Sequence, residues 1–127
     1  DRARQSVAIA VIDLDALRNV NDQFGHEAGD AVLRQFGQVL RQSFCSEDIV
    51  ARWGGEEFVV GMYGMTAAEG QQRFEQFVQL FNQKQVTTPN GEPITITFSV
   101  GIAQFPMDGT DLQTLYRFAA IALMEAK

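Results

Sequence analysis

Arg52-Trp53-Gly54-Gly55-Glu56-Glu57-Phe58 decides the reading of this chain, together with Asp13-Leu14-Asp15 upstream of it. Each stretch stands at the edge of an apolar, β-branched run. Val7-Ala8-Ile9-Ala10-Val11-Ile12 leads into the aspartates, and Phe58-Val59-Val60 follows the glutamates. Short runs of this composition predict buried strands. Asp13 and Asp15 straddle Leu14, so in an extended chain both point the same way. Two strands that each deliver carboxylates to one end of a sheet make a divalent-metal site, because Asp and Glu supply the hard oxygen ligands that Mg2+ or Mn2+ prefers. The paired glycines let a backbone approach a bulky ligand closely. The pattern points to metal-assisted phosphoryl chemistry on a nucleotide.

Around this kernel the hydrophobic periodicity predicts the remaining elements. Ser6 to Leu14 reads as a buried strand. Leu17 to Phe24 reads as a short helix stopped by Gly25, a candidate left-handed cap. Glu27 to Phe44 reads as an amphipathic helix with the stripe Ala28, Val32, Leu33, Phe36, Val39, Leu40 and Phe44. Asp48 to Trp53 and Phe58 to Met62 form a hairpin through Gly54-Gly55-Glu56-Glu57, where glycine supplies the positive φ of the turn. Thr66-Ala67-Ala68-Glu69 has the form of a capping box opening a helix to about Lys84, with Phe74, Phe77, Val78 and Phe81 inward. Pro89 to Pro93 is a turn. Ile94 to Ala103 reads as one strand with Ile94, Ile96, Phe98 and Val100 on one face. Pro106 to Gly109 is a loop. Asp111 to Lys127 is a last helix with Leu112, Leu115, Phe118, Ala119, Ala122 and Leu123 inward. The order β-α-α-β-β-α-β-α predicts an α+β sandwich with a mixed or antiparallel sheet and helices around it.

The length of 127 residues and 46% apolar content fit one domain, residues 1–127, with a real core. The chain starts at Asp1 without a methionine and stops inside a helical pattern, and it reads as a domain cut from a longer protein. Its one cysteine, Cys45, allows no disulfide framework. No apolar run approaches the roughly 20 residues that span a bilayer, and no signal peptide is visible. These features suit the cytoplasm, with any membrane anchor lying outside this segment. The net charge is −6 and the ten Lys and Arg are scattered, which argues against nucleic-acid binding. An acidic protein can still hold a nucleoside triphosphate if a metal ion offsets the repulsion.

Further polar groups qualify as ligands. The turn Ala16-Leu17-Arg18 opens a helix, so its free N–H groups suit phosphate oxygens, and Arg18 adds a charge-assisted contact. Asn21, Asp22 and Gly25-His26-Glu27-Ala28-Gly29-Asp30 form a polar cluster at a helix–helix corner. A carboxylate such as Asp30 can accept from guanine N1–H and N2–H together, and Asn21 can add a contact. The plainer role for both is helix capping. His26, the sole histidine, is expected to hold the corner by hydrogen bonds. Trp53, the ten phenylalanines and the methionines are assigned to packing. No Walker loop, zinc pattern or Ser-His-Asp spacing is present.

With these residues in view, the chain resembles the GGDEF family of diguanylate cyclases over almost its full length. The resemblance is carried by Asp13 to Asp22, by Gly25 to Asp30, by Gly54-Gly55-Glu56-Glu57-Phe58, by Ser99-Val100-Gly101-Ile102-Ala103 and by Ala126-Lys127. It implies a fold like the nucleotidyl cyclase and polymerase palm, with a mostly antiparallel sheet. It also implies condensation of two GTP into cyclic di-GMP with release of pyrophosphate. The implied metal ligands are Asp13, the carbonyl of Leu14 and Glu56, with Glu57 supporting the metal or polarising the attacking hydroxyl. Asn21 and Asp30 would read guanine. Ala16, Leu17, Arg18 and Lys127 would hold phosphates, and Gly54 and Gly55 would lie against the α-phosphate. Each domain would bind one GTP, so a homodimer is implied, as are a linked sensory or receiver domain and Mg2+ or Mn2+.

The chain departs from the family pattern in places. Leu17-Arg18 stands where the family has Phe-Lys, and Ala120 and Met124 stand where it often has Asp and Tyr. The family's inhibitory Arg-x-x-Asp is here Cys45-Ser46-Glu47-Asp48, which lacks the clamping arginine. Weak or absent product inhibition through Cys45 and Asp48 is expected. The alternative to a cyclase is a GTP-binding regulatory module without turnover.

Overall fold

The computed structural model describes residues 6–14, 17–44, 48–83, 86–87, 89, 91, 93–94 and 96–126. The most apolar run becomes the middle of the sheet. Strand β1 (Val7–Leu14) buries Ala8, Ala10, Val11, Ile12 and Leu14 completely. It pairs antiparallel with β3 (Glu57–Tyr63) on one side and with β6 (Phe98–Phe105) on the other. β2 (Ile49–Gly54) pairs antiparallel with β3, so the sheet order is β2-β3-β1-β6.

The two-residue period of β1 divides the core. Ala8, Ala10, Ile12 and Leu14 join the larger cluster, built with α2 (His26–Ser43) and α3 (Ala67–Gln83). Ile9 and Val11 face the smaller one, built with Leu115, Ala119 and Leu123 of α4 (Leu112–Ala126). Phe36 is fully buried at the centre of the larger cluster. The rings of Phe58, Phe81 and Phe98 lie 5.2 Å from it and that of Phe77 lies 5.6 Å away, mostly edge-on. Such pairs add about 0.5–1.5 kcal/mol each beyond area burial.

Helices α1 (Leu17–Phe24) and α2 meet at Gly25. Its φ of +94 is positive as expected, but ψ is 166, so the residue occupies the extended region open essentially to glycine alone, not the left-handed helical well. The capping box forms as read: Thr66 N–H donates to Glu69 Oε1 at 2.9 Å, and Glu69 N–H donates to Thr66 Oγ1 at 3.2 Å.

Some expectations change. The strand expected over Ile94–Ala103 is two strands. A short hairpin of β4 (Val86–Thr87) and β5 (Pro93–Ile94) comes first, and β6 begins only at Phe98. Gln35 draws this hairpin onto α2, because its amide donates to Thr87 O at 2.7 Å and accepts from Thr87 N–H at 3.2 Å. Val78 is exposed, not inward, since the sheet meets only the Phe74, Phe77 and Phe81 side of α3. Leu112 and Phe118 are 56% and 45% exposed, because α4 rests on the sheet through the side that carries Leu115, Tyr116, Ala119 and Leu123. Among the described residues no helix is long and apolar enough to cross a membrane.

Candidate functional site

The hairpin turn is Gly55-Glu56, one residue tighter at each end than the sequence suggests. Gly55 takes a φ of +25, which supplies the positive backbone angle the turn needs. A bulge at Trp53 lets Gly54 pair with Glu57. Arg52 reaches around the turn and donates Nε–H and Nη2–H to Gly55 O at 3.1 and 2.7 Å. Leu14 N–H donates to Glu56 O at 3.2 Å, which docks the turn onto the end of β1.

Register then brings the acids together. Asp13 pairs with Glu57 on one side and with Ser99 on the other. All three lie at positions whose side chains face α4. One oxygen of Asp13, Oδ1, is buried. Tyr116 of α4 donates its hydroxyl to Glu57 Oε1 at 2.5 Å. The phenol is pushed up to about 12, first by that hydrogen bond, then by burial, then by the negative charges of Glu57 and Asp13. Glu56, at the turn, is exposed.

No group of three or more metal-ligating side chains is assembled among the described residues. Asp15 lies outside them. The donor set at the edge is all oxygen: a carboxylate with one buried atom, a neighbouring turn carboxylate and the Leu14 backbone. That set fits Mg2+ or Mn2+, which binds through one or two carboxylates plus substrate phosphates.

A cleft of about 400 Å³ opens on the other side of the turn. Asn21, Gly29, Asp30, Leu33, Arg52, Gly55 and Glu56 line it. Asn21 and Asp30 sit within α1 and α2, and the residue at the α2 cap is Gly25 with no side-chain bond. Capping therefore does not account for them. Asn21 Oδ1 is buried and has no hydrogen-bond partner among the described residues. It packs on Gly29, where a Cβ would overlap that oxygen. Asp30 is exposed at the cleft mouth. His26 is exposed and its side chain makes no hydrogen bond among the described residues, contrary to the expected corner role; the backbone closes the corner instead, with Gly25 N–H donating to Asn21 O and Ala28 N–H to Gly25 O.

Ala16, Cys45 and Lys127 lie outside the described residues, as do the side chains of Leu17, Arg18 and Gly54. Leu17 and Arg18 are the first residues of α1. Asp48 is almost fully buried, and Arg73 of α3 lies 3.9 Å from its carboxylate. Arg73 also donates to Ser43 O at 3.2 Å and covers the Phe44 ring at 5.2 Å. The sequence reading missed Tyr116, Arg52 and Leu33. Arg52 adjoins the glycine motif and was the one with a local signal.

The family model for the diguanylate cyclase GGDEF domain matches residues 1–127. The chain is 37% identical over 123 residues to diguanylate cyclase DgcP of Pseudomonas aeruginosa, covering 94% of this chain and 17% of that protein. It spans a third or less of the length of the curated relatives it matches. The isolated GGDEF domain of YfiN (TpbB) from Pseudomonas aeruginosa superposes with a TM-score of 0.89 at 28% identity, over 99% of this chain and 73% of that one. The GGDEF domain of DgcB from Caulobacter crescentus, solved in complex with c-di-GMP, superposes at 0.84 with 26% identity, over 94% and 71%. The match over the whole sequence, together with the superposition on a solved GGDEF domain, makes this chain a member of the GGDEF-domain diguanylate cyclase family.

Proposed function

We propose that the domain condenses two GTP into cyclic di-GMP, with one nucleotide held by each of two facing copies. The observation that carries this reading is a single turn, Gly55-Glu56, which closes a cleft containing Asn21 and Asp30 on one side and abuts the Asp13–Glu57 pair on the other. A base reader and an acidic edge on either side of one backbone turn suit a purine whose phosphates reach the acids.

In this reading Asp30 accepts from guanine N1–H and N2–H, and Asn21 contributes beside it. Gly55, lacking a side chain, admits the α-phosphate. Asp13, the Leu14 carbonyl and Glu56 hold Mg2+ or Mn2+. The bound metal supplies charge to the phosphates and lowers the pKa of the attacking hydroxyl. Glu57, held by Tyr116, keeps a fixed carboxylate beside Asp13. Each ribose 3′-oxygen forms a bond to the α-phosphorus of the other nucleotide. Each bond from that phosphorus to its pyrophosphate breaks, and the hydroxyl proton leaves, so two pyrophosphates depart per cyclic product. The Lys127 and Arg18 positions complete phosphate binding. The flanking domains of the longer protein set how often two copies meet.

The test is a pair of substitutions. Glu56→Gln should abolish product while leaving guanine binding largely intact. Asp30→Ala should weaken GTP more than ATP. A Glu56→Gln protein that turns over at the wild-type rate overturns the metal assignment, and equal loss of GTP and ATP overturns the base assignment. Tight GTP binding without product in the unmutated protein favours the regulatory-module reading.

A further inference from the structure

Three arginines gather on the far side of Asp30. Arg34 and Arg41 stand seven residues apart on one face of α2, about 10 Å along its axis, and Arg52 comes from β2. With Leu33, Gly37 and Phe58 they line a second cleft of about 390 Å³. Asp30, Leu33 and Arg52 line both clefts, so the two adjoin. Gly37 creates the hollow. A Cβ there would lie 3.4 Å from the Phe58 ring and 3.8 Å from Arg41 Nη1, so the bare backbone leaves room at the base of the cleft, where an edge of the nearly buried Phe58 ring supplies apolar lining.

Among the described residues this charge is largely uncompensated. Arg34 and Arg41 have no ion pair or hydrogen bond among the described residues, and Arg52 commits only two of its N–H groups, to Gly55 O. Three of the ten basic residues of a chain with net charge −6 therefore line one cleft. Guanidinium groups bind phosphate oxygens as a fork and stack on the faces of planar rings. An apolar floor under cationic walls suits a ligand that is both planar and anionic.

We propose that this cleft is a second nucleotide subsite, which receives the guanine nucleotide carried by the facing copy of the chain. The inference rests on the cyclase reading above. Ring closure requires two nucleotides within bonding reach of each other, so phosphates of the second must lie beside the first. The arginine cleft adjoins the first nucleotide's cleft and carries the charge that the second needs. Arg34 and Arg41 then act as positioning residues for the partner's nucleotide and are dispensable for holding the domain's own.

The experiment compares the full-length protein with its Arg34→Gln/Arg41→Gln variant in three measurements. These are the initial rate of cyclic di-GMP formation at saturating GTP, the affinity of dilute protein for an unreactive GTP analogue with Mg2+, and the affinity for cyclic di-GMP. The expected result is a rate lower by about ten-fold or more and GTP-analogue and cyclic di-GMP affinities within about two-fold of wild type. Arg34→Lys/Arg41→Lys should recover part of the rate. A variant that keeps its rate but loses cyclic di-GMP affinity overturns the facing copy as the occupant and assigns the cleft to released product. Unchanged rate and unchanged product affinity overturn the subsite while the cyclase reading stands. Absence of product from the unmutated protein is a failure of the cyclase reading itself.

Discussion

Tyr116 and Glu57 are 59 residues apart in sequence and 2.5 Å apart in space, phenol hydroxyl to carboxylate oxygen. One comes from the last helix and the other from the hairpin that ends in the acidic turn. The bond ties α4 to the strand edge where Asp13 also lies, so the direction of the Glu57 carboxylate is set by packing as well as by the sheet.

Removing that hydroxyl tests what it positions. Tyr116→Phe keeps the ring and its packing but frees Glu57 to rotate. Product formation should fall about ten-fold, with the affinity for an unreactive GTP analogue unchanged, since Tyr116 does not line the cleft of Asn21 and Asp30. A wild-type rate in this variant would show that Glu57 needs no anchor.

The same contact fixes a pH dependence. The phenol ionises at about 12 in the folded protein, raised from 10.0 chiefly by its bond to Glu57. A raised pKa means that the folded state binds the proton more tightly than the unfolded state does. The associated stability is therefore fully present below about pH 10 and is lost as pH rises through about 12. Alkaline titration of tyrosinate absorbance should contain a late component that is missing from Tyr116→Phe. Loss of a component near the ordinary tyrosine range instead would refute the contact.

Gly29 offers a test confined to the cleft of Asn21 and Asp30. Alanine there overlaps Asn21 Oδ1, which must swing away from the cleft. Alanine also favours the helix by about 1 kcal/mol over glycine. Gly29→Ala should therefore weaken GTP about ten-fold or more while its urea midpoint stays near that of the wild type. Binding equal to wild type would mean that Asn21 does not serve the cleft.

Core stability should depend heavily on Phe36. It is fully buried and meets four other rings. Phe36→Ala should cost about 3–5 kcal/mol, read as a lowered urea midpoint with an unchanged slope. A loss under about 1 kcal/mol would mean that the surrounding rings collapse into the space.

Product inhibition can be probed through Cys45. The buried Asp48 already has Arg73 as its cationic neighbour, and the chain has no arginine at position 45. Cyclic di-GMP added to the protein should inhibit product formation weakly through this stretch. Cys45→Arg should lower the inhibitory concentration about ten-fold. Equal inhibition in both proteins would place the inhibitory contact elsewhere.

Local rules carried far in this sequence and stopped where three-dimensional neighbours take over. α1 runs from Leu17 to Phe24, as its spacing suggests. The Thr66–Glu69 box is formed, and the acids at the ends of β1 and β3 meet in register. The failures have two causes. Phe118, Ile121 and Met124 place apolar side chains on the outer side of α4, so the helix is apolar nearly all round and its period cannot name the buried face. Ile94 and Ile96 continue the alternation of β6, but Ile94 belongs to the short β5 and β6 begins only at Phe98. Tyr116 meets Glu57, and Arg34, Arg41 and Arg52 line one cleft, across separations that no local pattern spans. The arginines that look scattered in the sequence are neighbours because α2 repeats its face every seven residues and β2 lies alongside.

The bulge at Trp53 also acts on the rim of the sheet. β2 is the outermost strand on its side, with Ile49 open to solvent. A long flat rim of that kind recruits neighbouring chains strand to strand. Here the rim is six residues long, carries Arg52 and is kinked by one extra residue just before the glycine turn. The irregularity that shapes the turn thus also blunts stacking into an endless ribbon.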